Sequence, residues 1–184
     1  MAEIKSKQNL QIFLAGIEGR AFRIAHIATG NRDDALELVQ EATIKLVQKY
    51  ATRSEGEWAP LFYKILQTRI LDWHRRQAVR NRFRTWFTRP KDAEQEDEED
   101  ALEQFPDDGS HEPSAQMENA QFMSRLNHEL GILPHRQQQV FLLRVWEGMD
   151  IAKTALVMNC SESSVKTHYA RALKRLRGQL EDLQ

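Results

Sequence analysis

The stretch Asp150-Ile-Ala-Lys-Thr-Ala-Leu-Val-Met-Asn-Cys-Ser-Glu-Ser-Ser-Val-Lys-Thr-His-Tyr-Ala-Arg-Ala-Leu-Lys-Arg-Leu-Arg177 decides the fold. Asp150 caps a short helix, Ile151 to Met158. Asn159-Cys160 makes a tight turn, and Ser161 is a good N-cap for a long helix, Glu162 to about Leu180. The long helix carries a core stripe of Val165, Tyr169, Ala172, Leu173, Leu176 and Leu180. Ala155 is small where the two helices touch, Asn159 tolerates a left-handed turn, and Val165 packs the second helix on the first. A short helix, a tight turn and a longer basic helix make a helix-turn-helix, whose second helix enters the major groove of DNA by its N-terminal part. Ser163, Ser164, Lys166 and Thr167 then face base edges or flanking phosphates. Arg171, Lys174, Arg175 and Arg177 meet phosphates, which position the protein without reading sequence. The plainer reading is a helical hairpin with a solvated basic face, but turn, caps and core stripe all agree with the first.

Upstream of this motif the pattern stays helical. Glu118 to Leu130 and His135 to Glu147 read as helices stopped by Gly131 and Gly148. Near the N-terminus, Leu10 to Glu18 and Arg20 to Thr29 are two apolar-rich stretches, closed by Gly30-Asn31. Asp33-Asp34 opens a helix at its favourable dipole end, with Ala35, Leu38, Val39, Ala42, Leu46, Val47 and Tyr50 on one buried face. Ala51 to Glu57 reads as a polar loop, and Pro60 suits the first turn of the next helix. Phe62, Ile65, Leu66, Ile70 and Trp73 carry that helix through Arg76 towards Arg84. No strand pattern and no internal repeat is found. The fold class is all-α: two small helical domains, residues 1–87 and 116–184, joined by an acidic flexible linker at 88–115.

Charge supports that division. The 184 residues carry a net charge of −1, which hides strong segregation. Residues 1–91 hold 17 Lys and Arg against 9 Asp and Glu, and residues 125–184 hold 9 against 6. Residues 92–124 hold 12 acids and no Lys or Arg. Two basic modules flanking an acidic connector suit nucleic acid, and low hydrophobicity with dense like charge reads as an extended linker. A second basic tract, Arg69, Arg75, Arg76, Arg80, Arg82 and Arg84, is interleaved with Trp73, Phe83, Trp86 and Phe87 and extended by Arg89 and Lys91. Cations there neutralise phosphates and exposed aromatics stack on unpaired bases, although Trp73 also reads as a core residue.

Other classes find little footing. Cys160 is the single cysteine, so no internal disulfide is possible. The six histidines lack ligand spacing, there is no phosphate-cradling Gly loop, and neither signal peptide nor membrane span is read. The expectation is a cytoplasmic non-enzyme with no cofactor, no metal and no small-molecule substrate.

The two modules in this order resemble the extracytoplasmic-function group of bacterial RNA polymerase sigma factors. Cys160 to Arg177 is similar to that family's −35 recognition helix. Leu133-Pro-His-Arg-Gln-Gln-Gln-Val-Phe-Leu-Leu-Arg144 resembles the start of its region 4. Asp33-Asp-Ala-Leu-Glu-Leu-Val-Gln-Glu-Ala-Thr43 resembles the polymerase-binding helix of region 2, and Trp58 to Arg76 its −10 helix. The resemblance implies polymerase contacts at Asp34, Leu36, Leu38 and Glu41. It implies −10 contacts at Thr52, Arg53, Thr68, Arg69, Arg75, Arg76 and Arg80, with the loop from Ala51 to Trp58 capturing a flipped base. It implies −35 contacts at Ser163, Ser164, Lys166, Thr167, Arg171, Lys174 and Arg175. Thr68 stands where the family often has Asn, and Lys153 where it often has Glu, so a particular promoter sequence does not transfer. The implied partners are core RNA polymerase, promoter DNA and an anti-sigma factor, of a kind that can be membrane-bound. A helix-turn-helix regulator that binds DNA without polymerase is the alternative, and a regulatory protein that sequesters a partner through its acidic segment is a third.

Overall fold

The computed structural model describes residues 2–87 and 113–180. Among them every regular element is helical. The N-terminal half is a three-helix bundle. Its first helix, α1 (Ala2–Thr29), is one continuous rod rather than the two stretches expected, and it runs through Gly16 and Gly19 without a break. Gly30, at φ +66°, ends it in the left-handed region. Asn31 then caps α2 (Arg32–Tyr50), its side chain accepting from the Asp34 N–H at 2.9 Å, with Asp33 and Asp34 in the first turn. The third helix, α3 (Glu55–Phe87), begins inside the segment read as a loop. Ser54 and Glu57 make one half of a capping box: Glu57 Oε2 accepts from the Ser54 N–H at 3.2 Å and from its hydroxyl at 2.8 Å, while the Glu57 N–H donates to the Ser54 carbonyl. The two bonds that Oε2 accepts hold the exposed Glu57 carboxyl below its usual pKa. Pro60 thus lies deeper in the helix than expected, at the cost of one intrahelical hydrogen bond.

Trp58, Phe62, Tyr63, Ile65, Leu66 and Ile70 of α3 pack against Ala35, Leu38, Val39, Ala42 and Leu46 of α2 and Ile17, Ala21 and Ile24 of α1. Leu38 is only 2% exposed. Val47, expected on the buried face, is 44% exposed. At 100° per residue it falls beside Leu36, on the outer side of α2.

In the C-terminal half, α4 (Pro113–Gly131) begins at Pro113, which serves as a first helical residue rather than as a breaker. Residues 113–115, assigned to the linker from sequence, therefore belong to this helix, and 88–112 lie outside the described residues. The next helix, α5 (His135–Phe141), passes into a π turn at Leu142–Trp146 instead of continuing as one α-helix to Glu147. Then follow α6 (Ile151–Met158) and α7 (Glu162–Leu180). Gln138 Nε2 donates to Leu130 O at 2.9 Å and Arg136 Nη1 to Met158 O at 2.8 Å, tying α5 to its neighbours.

The sequence suggested modules tethered only by a linker, but the halves are packed together. The α6 helix lies on α3 and α4 on α1, and one hydrophobic cluster runs through both halves. At this joint the rings of His74 (α3) and His135 (α5) meet edge to face, 5.4 Å between centroids. Burial first, then the neighbouring His74 and Arg136, push the His135 pKa down to about 4, and burial lowers His74 as well. A histidine whose folded pKa lies below its unfolded value stabilises the fold in its neutral form. That stability is present above pH 6.5 and is lost as pH falls through about 4. Denaturant titrations should therefore show a loss of about 2 kcal/mol between pH 7 and pH 5. His135→Phe should flatten that slope; an equally steep slope in the variant would place the titration elsewhere.

Candidate nucleic-acid interface

The helix-turn-helix geometry is set by three local devices. Asp150 accepts from the Lys153 N–H at 2.7 Å and caps α6. Asn159 ends α6 with φ 50° and ψ 54°, the only left-handed non-glycine among the described residues. The N–H of Cys160 reaches back to Ala155 O at 3.1 Å, and Ser161 Oγ accepts from the Ser164 N–H at 3.2 Å to cap α7. Ala155 and Val165 are both buried where the helices cross. The stripe expected on α7 is its inner face: Val165, Ala172 and Leu176 are buried, with Tyr169, Leu173 and Leu180 packed around them.

The outer face of α7 brings Ser163, Lys166, Thr167 and Lys174 into one line, with Arg171 and Arg175 flanking it, all exposed. Ser164 departs from the expected set. It is half-buried and its hydroxyl lies 2.8 Å from Ser161 Oγ, within the cap. The Thr167 hydroxyl donates to Ser163 O at 3.0 Å, so its proton is committed within the helix. Arg177 is exposed near the end of the helix.

A second basic face runs along α3. Thr68, Arg75, Arg76 and Arg80 are exposed over about 18 Å of helix, the length of about five base pairs. Arg75 is braced by Asp72 at 3.5 Å, and the Thr68 hydroxyl donates to Lys64 O at 2.8 Å. Arg69 does not share this freedom. Its guanidinium lies 3.2 Å from Glu41 of α2 and is only one-third exposed, so Arg69 and Glu41, expected in two separate sites, engage each other. Thr52 and Arg53 are exposed in the α2–α3 turn, with Arg53 3.8 Å from Glu57. Trp73 is half-buried against the core. The side chains of Phe83, Arg84, Trp86 and Phe87 lie outside the described residues, as do Arg89 and Lys91.

On α2, Leu36 is 47% exposed and Asp34 half-buried, but Leu38 points into the core. Two residues missed from sequence complete the outer face: Ile44 is 49% exposed and Val47 44%. With Asp33 and Glu37 beside them they make an apolar strip with an acidic edge. The signal was available, since positions 36, 40, 44 and 47 share one side of a 3.6-residue helix.

Among the described residues no helix is long and apolar enough to cross a membrane. A family model for Sigma-70, region 4 matches residues 124–176, the segment that holds the helix-turn-helix. The chain is 30% identical to an RNA polymerase sigma-E factor of Streptomyces avermitilis, over 80% of this chain and 72% of the relative. It is 30% identical to the ECF RNA polymerase sigma factor SigD of Mycobacterium tuberculosis, over 80% of this chain and 62% of the relative. Among solved structures its fold is similar to that of the sigma factor RpoE from Bartonella quintana, solved with the anti-sigma factor NepR. The TM-score is 0.66 at 21% identity, covering 95% of this chain and 96% of that one.

Proposed function

Because the chain belongs to the extracytoplasmic-function sigma factors of bacterial RNA polymerase, and so directs core polymerase to promoters, we propose a division of that task among its helices. In this reading α7 reads the −35 element through Ser163, Lys166 and Thr167, with Arg171, Lys174, Arg175 and Arg177 on phosphates. The exposed face of α3, with Thr68, Arg75, Arg76 and Arg80, takes the −10 element. Thr52 and Arg53, at the turn before it, lie where an unpaired base would be received. The outer face of α2, with Leu36, Ile44, Val47 and the acids beside them, binds core polymerase. Glu41 and Arg69 brace α2 against α3, and Leu38 supports the helix from within.

The observation that carries this reading is the presence of two separate outward basic faces, on α3 and on α7, in one chain. A regulator working without polymerase needs one such face and a symmetric partner. The functional units proposed are residues 1–87 and 113–184, the second extended by the three residues that α4 adds. The protein acts by binding, in the cytoplasm, with RNA synthesis left to the core enzyme, and an anti-sigma factor is its proposed antagonist.

The test is run-off transcription with purified core polymerase. Addition of this protein is expected to produce discrete, promoter-dependent transcripts, while the free protein selects no promoter on its own. Tight, sequence-specific, dimeric binding by the protein alone, with no transcript from the mixture, would overturn the assignment.

A further inference from the structure

Packing among α1, α3 and the segment after the π turn leaves a cleft of about 390 Å³. That lies within the roughly 300–1,000 Å³ of small-molecule sites. Phe13 and Ile17 of α1, Pro60 of α3 and Met149 supply apolar walls. Gly16 and Gly56 border the cleft too, and a Cβ added at either would meet nothing within 4 Å. Gly16 lies in the interior of α1, where glycine is among the poorest helix formers, and no neighbouring atom requires it there. The volume that a side chain at Gly16 would take is left open beside the cleft.

The cleft also carries polar groups with hydrogen-bonding capacity left over. Tyr63 is 1% exposed, and its phenol oxygen completes no hydrogen bond among the described residues. Burial first, then the Glu147 carboxylate beside it, push its pKa up, so the phenol keeps its proton and remains a donor. The Glu147 side chain is only 5% exposed and is balanced by Arg20, whose Nε lies 3.5 Å from Oε1. A guanidinium has five N–H donors, and that of Arg20 sits on a side chain 54% exposed, so it retains donors for a further acceptor. Lys153 brings a second cation to the cleft. Its own ion pair, with Asp150 at 3.8 Å, is exposed at both ends and therefore weak. Lys153 is also where this chain departs from the Glu common in the family it resembles, so the second cation belongs to this sequence.

Two cations and a buried hydroxyl proton suit a negatively charged acceptor, and the apolar walls suit a hydrocarbon body. We propose that the cleft binds a small amphiphilic carboxylate, its head on Arg20, Lys153 and the Tyr63 hydroxyl and its chain along Gly16 and Gly56. The cleft shares no residue with the two basic faces or with the outer face of α2. The proposal therefore stands apart from the function assigned to them.

The probe is decanoate, titrated calorimetrically into the full chain below its micelle concentration. A single site is expected. Octanoate, two methylenes shorter, should bind about fifteenfold more weakly, at about fourfold per buried CH₂. Decylammonium, with the same chain and the opposite head charge, should not bind. Gly16→Leu and Gly56→Leu each put a side chain into the cleft and should abolish decanoate binding. Tyr63→Phe keeps the ring and loses the donor, and should weaken binding roughly tenfold. Circular dichroism checks that each variant is as helical as wild type; if one glycine variant fails this check, the other and Tyr63→Phe decide. Absence of decanoate binding to wild type overturns the proposal. So does decylammonium binding as tightly as decanoate, and so do folded glycine variants that bind like wild type.

Discussion

Leu38→Ala is expected to lower unfolding stability by about 2–4 kcal/mol, whereas Leu36→Ala, two residues away, leaves stability within about 0.5 kcal/mol of wild type. Leu38 is 2% exposed between α1 and α3, so truncation removes its contacts and leaves a cavity. Leu36 is 47% exposed and touches mainly solvent in the free chain. The order reverses when core polymerase is the ligand. Leu36 lies at the N-terminal end of the outer strip of α2, beside Asp33 and Glu37, and truncating an interface anchor costs about 1–2 kcal/mol, roughly tenfold in affinity. Leu38→Ala loses activity by unfolding, so its folded fraction still competes normally for core. Denaturant midpoints and competition for core polymerase separate the two effects. A Leu38→Ala protein of wild-type stability and weakened affinity would put that side chain at the interface and refute the burial argument.

The contrast between these leucines shows where reading from sequence succeeds. The helix-turn-helix was legible because each of its parts is a local rule: Asp150 and Ser161 as caps, Asn159 at a left-handed turn, an apolar stripe on α7. Such rules act over four or five residues and need no knowledge of the rest of the chain. The same holds for the Gly30-Asn31 boundary. Ser54 and Glu57 followed a local rule too, and the capping-box spacing would have started α3 at its true position. Assigning faces of α2 was harder, because Leu36, Leu38 and Val47 are alike in chemistry and only the neighbours decide which are covered. Glu41 and Arg69 are 28 positions apart, and nothing short of the fold brings them to 3.2 Å. The closed arrangement was beyond sequence reading for the same reason. Arg20 and Glu147 lie in different halves, and the π turn just before Glu147 interrupts an otherwise helical pattern.

In the recognition helix, Lys166→Ala and Thr167→Ala are expected to change promoter discrimination, while Arg175→Ala and Arg177→Ala weaken binding without changing preference. Lys166 is exposed on the outer line of α7, within the N-terminal turns that the proposed reading brings to base edges. Its ammonium suits the acceptors of guanine, and losing a good base contact costs about 1–3 kcal/mol, or roughly five- to 150-fold in discrimination. Thr167 works differently because its hydroxyl proton is already committed to the Ser163 carbonyl. What it offers a base is chiefly a methyl group, which fits the methyl of thymine. Thr167→Val should therefore keep the wild-type preference that Thr167→Ala loses. Ser164→Ala acts on a third quantity: with its hydroxyl beside the Ser161 cap, it should lower stability slightly and leave specificity alone. Arg175 and Arg177 lie two to three turns further along, where the proposed reading has the helix leave the base edges and meet phosphates. Each substitution there should reduce the salt slope of binding by about one and weaken all sequences alike. Selection from a randomised −35 library by the reconstituted holoenzyme, repeated at two salt concentrations, measures all of these together. An unchanged preference in both Lys166→Ala and Thr167→Ala would move base reading off this line of the helix. A preference altered by Arg175→Ala would move it towards the C-terminal half.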